Sequence, residues 1–370
     1  MPATEPSAPS TPSAQPGNRI TEDEASLYDR QIRLWGLDAQ NRMRNSTVLI
    51  LSLRSLAHET IKNLVLAGIG RLIIMDGEKV TEEDLGGGFL FREEDGAVGS
   101  ERTAAALPQI KSLNPLVEVT ALPTLQPFVG GDETATITFL KREKVDVVVA
   151  CDLSYKQMEA IDSACHVAGT KFYGAGTYGF YGFAFADLGT HHSFTYTAPG
   201  KEPVKEVIRY KAMAQAFDRT NWALPNERTA EGGSPFGGYR RVLKARQYGP
   251  ELAVPVLALW EYENQHGSLP TGREGQQEEL TAITAELQTA LGVHPKLLNA
   301  SADVVNHFAA HATDCFSPTL AIVGGLLAQD VLRSISRNGW PIINLLVIDS
   351  LRGTATSSPW GVAPDPSLPT

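Results

Sequence analysis

Cysteine is scarce in this chain. Cys151, Cys165 and Cys315 lie far apart in 370 residues, and no CxxC pair occurs. A zinc site built from such pairs is excluded, and a low, odd count suits a reducing compartment. Basic runs are lacking too. A net charge of −10 without a Lys/Arg cluster argues against broad contact with a phosphate backbone. No apolar run reads as long enough to span a membrane. The first residues, "MPATEPSAPSTPSAQPGN", have neither the basic start nor the apolar core of a signal peptide. They read as a disordered tail.

One further absence is local. Residues 48–59, "VLILSLRSLAHE", read as an apolar strand, a turn and the start of a helix. In a dinucleotide fold that turn is rich in glycine, for the tight bend, for phosphate approach and for helix–strand packing. Here it holds Ser52, Arg54, Ser55 and Ala57. Asp76 follows the second strand at the spacing of a ribose partner, although aspartate is also common there as a turn or cap residue. Either Arg54 serves phosphate as a counter-charge, or the frame is kept for architecture and the site is closed. Loss of all the small residues together favours closure.

The remaining pattern is that of a doubly wound α/β fold. Thr21 and Glu24 form a capping-box pattern opening a helix through Tyr28 to Trp35, and "LDAQNRMRNS" reads as a second helical piece. "TVLIL", "RLIIMD" and "VDVVVAC" are buried strands, alternating with the helices "SLAHETIKNLVLAG" and "YKQMEAIDSACHVAG". After residue 175 the chain becomes aromatic and alternating, as in antiparallel strands. Helices are then expected around 205–217, 250–264, 276–290 and 296–312. The α/β pattern returns with "TLAIVGGLLAQDVLRSIS" and "INLLVIDS". The expected division is a tail at 1–20, an α/β part at 21–187, a mainly helical insertion at 188–314, a closing α/β part at 315–352 and a flexible tail at 353–370.

Several motifs carry a resemblance. The stretch from "YDRQIRLWG" through "NLVLAGIGRLIIMDGEKV", the segment "VGSERTAAALPQIKSLNP", the region "YGFYGFAFADLGTHH" and the helix "SPTLAIVGGLLAQDVLRSIS" resemble the ThiF/MoeB-type adenylating fold, in the family's order, over roughly 22–352. That fold activates ubiquitin-like proteins. The departures are informative as well. Active members carry the glycine-rich loop, and read close to "NLNRQF" where this chain has "DLGGGF", Asp84 to Phe89. Asp152 matches an aspartate kept near nucleotide and magnesium. Without its neighbours it reads as a relic or a helix cap.

This combination is similar to the smaller, Aos-type, non-catalytic subunits of SUMO-activating heterodimers. The resemblance implies an obligate larger, Uba-type partner that binds ATP and magnesium, adenylates SUMO and takes it as a cysteine thioester. It implies no cofactor and no metal on this chain, indirect dealings with SUMO and its conjugating enzyme, and residence in the nucleus and in part the cytoplasm. It also implies that Arg30 reaches the partner's ATP, with Arg33 as runner-up; the plain alternative is a solvated helix arginine or an internal ion-pair partner. Cys151 and Cys165 read as packed. Cys315 adjoins a helix start, a setting that lowers a thiol pKa, yet no cysteine is expected as the nucleophile. His191 and His192 adjoin a strand without metal-ligand spacing and read as structural. Competing readings are the non-catalytic subunit for a Nedd-type modifier, a pure interaction scaffold and, least, an oxidoreductase.

Overall fold

Five parallel strands and three antiparallel ones build the main sheet. The computed structural model describes residues 21–197, 200–222, 234–236, 249–294, 297 and 301–364. Three short helices come first: α1 (Glu22–Leu27), α2 (Asp29–Trp35) and α3 (Leu37–Arg44). The Thr21–Glu24 capping box forms as the sequence predicts. The parallel strands are β1 (Thr47–Leu51), β2 (Arg71–Met75), β3 (Glu118–Leu122), β4 (Val147–Cys151) and β5 (Lys171–Tyr178). β6 (Tyr181–Asp187), β9 (Leu345–Asp349) and β10 (Thr354–Ser358) continue the sheet antiparallel, in the order β10-β9-β6-β5-β4-β1-β2-β3. Two further strands, β7 (His192–Tyr196) and β8 (Val204–Arg209), pair with the short β11 (Ala363–Pro364) in a second sheet.

Strand side chains alternate between faces, and both faces are covered. Val48, Ile50, Leu72 and Ile74 share one buried cluster with α4 (Ser55–Leu66), α6 (Arg102–Leu113) and α13 (Ser317–Ser336). Leu49, Leu51, Ile73 and Met75 share the other with α7 (Glu133–Glu143), α8 (Tyr155–Ala168), α10 (Pro250–His266), α11 (Gln276–Ala290) and α12 (Ser301–His311). Two small helices, α5 (Glu82–Gly87) and α9 (Met213–Ala216), complete the set. α13 is the one described helix with the length and apolar character of a membrane span, which the sequence reading did not foresee, but most of it is buried against the core. It crosses α4 closely at Gly324, where an added Cβ would stand 2.6 Å from the Glu59 side chain.

Two expectations need correction. Residues 204–209 form a strand and not the start of a helix over 205–217, because Val204 to Arg209 find a partner in His192–Tyr196. Only Met213–Ala216 is helical there. Residues 354–364, expected as part of a flexible tail, form β10 and β11. Trp360, wholly buried, anchors them: its backbone N–H and C=O both bond the Asn344 side chain. Residues 296 and 298–300 of the expected helix at 296–312 lie outside the described residues.

Candidate functional site

The turn after β1 keeps the shape of a glycine turn without the glycine. Ser52 has φ +69°, the left-handed region that glycine usually supplies, and its N–H donates to Met75 O at 2.9 Å. Leu53 N–H donates to Asp76 Oδ2 at 2.7 Å, and Asp76 Oδ1 accepts from Glu78 N–H at 2.7 Å. Buried Asp76 thus ties the turn to the loop after β2. Buried Arg102, which sequence reasoning missed, stands 3.6 Å from Asp76 and forks onto Asp84 at 2.9–3.1 Å, with Glu78 at 2.6 Å. An arginine opening a helix otherwise rich in alanine was the available signal.

The N-terminus of α4, where a phosphate would be held in a nucleotide-binding relative of this frame, is covered. Gly87 comes so close to Ser55 that an added Cβ would stand 2.3 Å from its Oγ. Gly88 lies as close to His58, with 2.0 Å between a Cβ and Nδ1. His58 is fully buried, its Nε2 3.2 Å from Leu53 O, its Nδ1 accepting from Leu90 N–H at 3.4 Å. The Phe91 ring packs edge-on against it, 4.5 Å between centroids. Burial pushes the His58 pKa down to about 4, so the ring is neutral and Nε2–H is the donor.

Charge remains at the mouth. Arg54 is exposed, 3.7 Å from Glu78. Asp152, with φ +51°, accepts from Thr177 N–H at 3.2 Å. Burial raises its pKa to about 6, against the opposing pull of that hydrogen bond and of Arg54. Cys315 lies beside them, an exposed residue close to the Ser55 side chain. The expectation that a helix start lowers its pKa fails: partial burial of the thiol, then the Asp152 charge, raises it. Cys151 and Cys165 are buried, and burial raises both thiols. His192 is buried on β7 and pushed down to about 3 by burial, Lys171 and Arg337, whereas His191 is exposed.

A second region is formed by the N-terminal helices. Buried Tyr28 packs on Gly68, whose added Cβ would stand 2.5 Å from the ring, and its hydroxyl accepts from Asn114 Nδ2 at 2.8 Å. Asn114 also reaches Val65 O, and Gln31 reaches Leu66 O at 3.2 Å. These bonds fasten α2 to the end of α4. Arg30 is exposed, with no hydrogen bond or ion pair among the described residues. Arg33 is occupied: both ends of its guanidinium meet Asp29, at 3.1 and 2.9 Å. Leu27, Leu34, Leu37, Leu66 and Ile322 are exposed apolar side chains on these helices and on α4 and α13. A cleft of about 270 Å³ lined by Gln31, Trp35, Asn63 and Leu332 lies among the same helices.

The ThiF family model matches residues 28–367. The chain belongs to the ThiF family. It is 31% identical over 349 residues to SUMO-activating enzyme subunit 1 of Homo sapiens, covering 91% of this chain and 95% of that one. It is 30% identical over 347 residues to the Rattus norvegicus protein of the same name, covering 90% and 94%. Two solved structures share the fold alone. PaaA matches with a TM-score of 0.53 at 12% identity, over 95% of this chain and 77% of that one. E. coli MccB with succinimide matches with a TM-score of 0.50 at 15% identity, over 93% and 74%. Within this ThiF-family chain the motif residues Tyr28, Gly68 and Asn114 meet at one place, and their visible work is to seat α2.

Proposed function

We propose that this chain is the smaller, non-catalytic subunit of a SUMO-activating heterodimer. The observation that carries the reading is the covered turn: Gly87 and Gly88 lie on Ser55 and His58, where a nucleotide-binding member needs open space. The name borne by relatives that match over nine-tenths of both chains supports the choice of modifier. In this reading the larger, Uba-type subunit holds ATP, magnesium and the acceptor cysteine. The exposed apolar face around Leu34, Leu37 and Leu66 is buried against it. Arg30 extends to the partner's ATP, and the assembly works mainly in the nucleus.

The test is co-expression with the larger subunit, followed by gel filtration and a thioester assay with SUMO. A stable one-to-one complex that forms the thioester, with neither chain active alone, supports the reading. A complex whose thioester forms only with a Nedd-type modifier transfers it to that pathway. Full activity of the larger subunit alone reduces this chain to a scaffold.

A further inference from the structure

A buried cluster of ionisable groups lies at the neck of the inserted segment. The chain leaves the main sheet at Asp187, the end of β6, and after β8 runs through Tyr210 to Met213, the start of α9, beside α8. Asp162 of α8 and Asp187 are both buried, and Asp187 is held against α8 by His166, one turn after Asp162. Asp187 Oδ2 accepts from His166 Nδ1 at 2.6 Å, and Oδ1 from Gly189 N–H at 2.8 Å. Asp162 Oδ2 accepts from Met213 N–H, while Oδ1 is buried without any donor among the described residues. Two ionised carboxylates would repel here, and the unpartnered oxygen would carry a desolvation cost.

We propose that Asp162 is held as the neutral acid, that its Oδ1–H donates to the Asp187 carboxylate, and that this proton clasps the start of α9 to α8. Every carboxyl oxygen then has a role. Asp187 accepts from His166, Gly189 and Asp162; Asp162 donates with one oxygen and accepts from Met213 with the other.

Burial, then the Asp187 charge, pushes the Asp162 pKa well above the carboxylate range, in keeping with this. The other ionisable groups facing the pair are Glu159, Tyr155 and Cys165 from α8 and Tyr210 beyond β8, all acids. His166 is the counterpart, its pKa raised by the Asp187 bond. Both Asp162 and His166 have folded pKa values above their unfolded ones. Their stabilisation is therefore complete at low pH and lost as pH rises through the folded values. The contact of α9 with α8 loosens with rising pH.

The test uses the full chain. At pH 7 the infrared difference between wild type and Asp162→Asn should show the carbonyl band of a protonated carboxylic acid in the wild type alone. Asp162→Asn should fold and keep the Met213 amide protected from hydrogen exchange, since its amide donates and accepts as the acid does. Asp162→Ala should speed that exchange roughly tenfold. Between pH 6 and pH 9, Met213 exchange in the wild type should rise by more than hydroxide catalysis requires, and in Asp162→Asn by that amount only. The proposal is overturned by any of four results: no acid band at pH 7, an Asn variant that does not fold, an Asn variant as fast as Ala, or parallel pH profiles.

Discussion

His58 shows what a single side chain does under the covered turn. Its ring fills the space under Gly88, and it is stable there only when neutral: Nε2–H meets Leu53 O and the bare Nδ1 receives Leu90 N–H. Protonation would set a second N–H against the Leu90 N–H. The sign of the pH effect follows. The folded pKa, about 4, lies below the ordinary 6.5, so the stabilisation is full above 6.5 and is lost as pH falls towards 4. The difference corresponds to about 3 kcal/mol. Urea unfolding at pH 7, 6 and 5 should show a steep acid loss in the wild type. In His58→Gln that loss should be smaller by up to about 1.4 kcal/mol per pH unit, the contribution of one proton. His192 titrates in the same direction in both proteins. Parallel curves would remove His58 from the acid response.

At the scale of elements, the glycines at the end of α5 act as a fitted seam. Gly88 has φ −122°, so its backbone is open to any residue and the constraint is space alone. Gly88→Ala places a methyl on His58 and should destabilise by about 1–3 kcal/mol. Gly86→Ala meets open space and should be neutral, or stabilise by up to about 1 kcal/mol through helix propensity. Thermal melts of the two variants check the contrast, and equal losses would contradict the seam. This contact also shows where sequence reading stops. The lost glycines at 52–57 were visible directly. The wedge between His58 and Gly88 is a tertiary approach of residues thirty apart in the chain, and nothing local encodes it. "TVLIL" and the Thr21–Glu24 cap were legible because their signals are local. β8 was not, because its pairing with His192–Tyr196 outweighs propensity. Residues 354–364 read as part of a flexible tail, yet the burial of Trp360 orders them.

For the whole molecule, the question is where the chemistry resides. If the covered turn is closed to nucleotide, titration of the isolated chain with Mg-ATP should give no measurable heat of binding. Micromolar affinity, about −8 kcal/mol, would mean that α5 lifts off α4 and that the closed reading is wrong. In the proposed reading a chain without its own nucleotide acts on one held by a partner, through Arg30. It is exposed on a helix fastened by Tyr28 and Gln31, and among the described residues no carboxylate claims its guanidinium. A guanidinium fixed beside the departing pyrophosphate meets charge as it develops, and loss of one such preorganised contact costs on the order of 100-fold in rate. Arg30→Ala should therefore leave the heterodimer intact on gel filtration and slow ATP–pyrophosphate exchange by about that factor. Arg30→Lys should recover part of the rate, since the ammonium keeps the charge without the planar fork. Arg33→Ala should change little, because Arg33 is already engaged by Asp29 at the surface. Wild-type exchange from an assembled Arg30→Ala heterodimer would falsify the trans role and leave α2 as a docking element only.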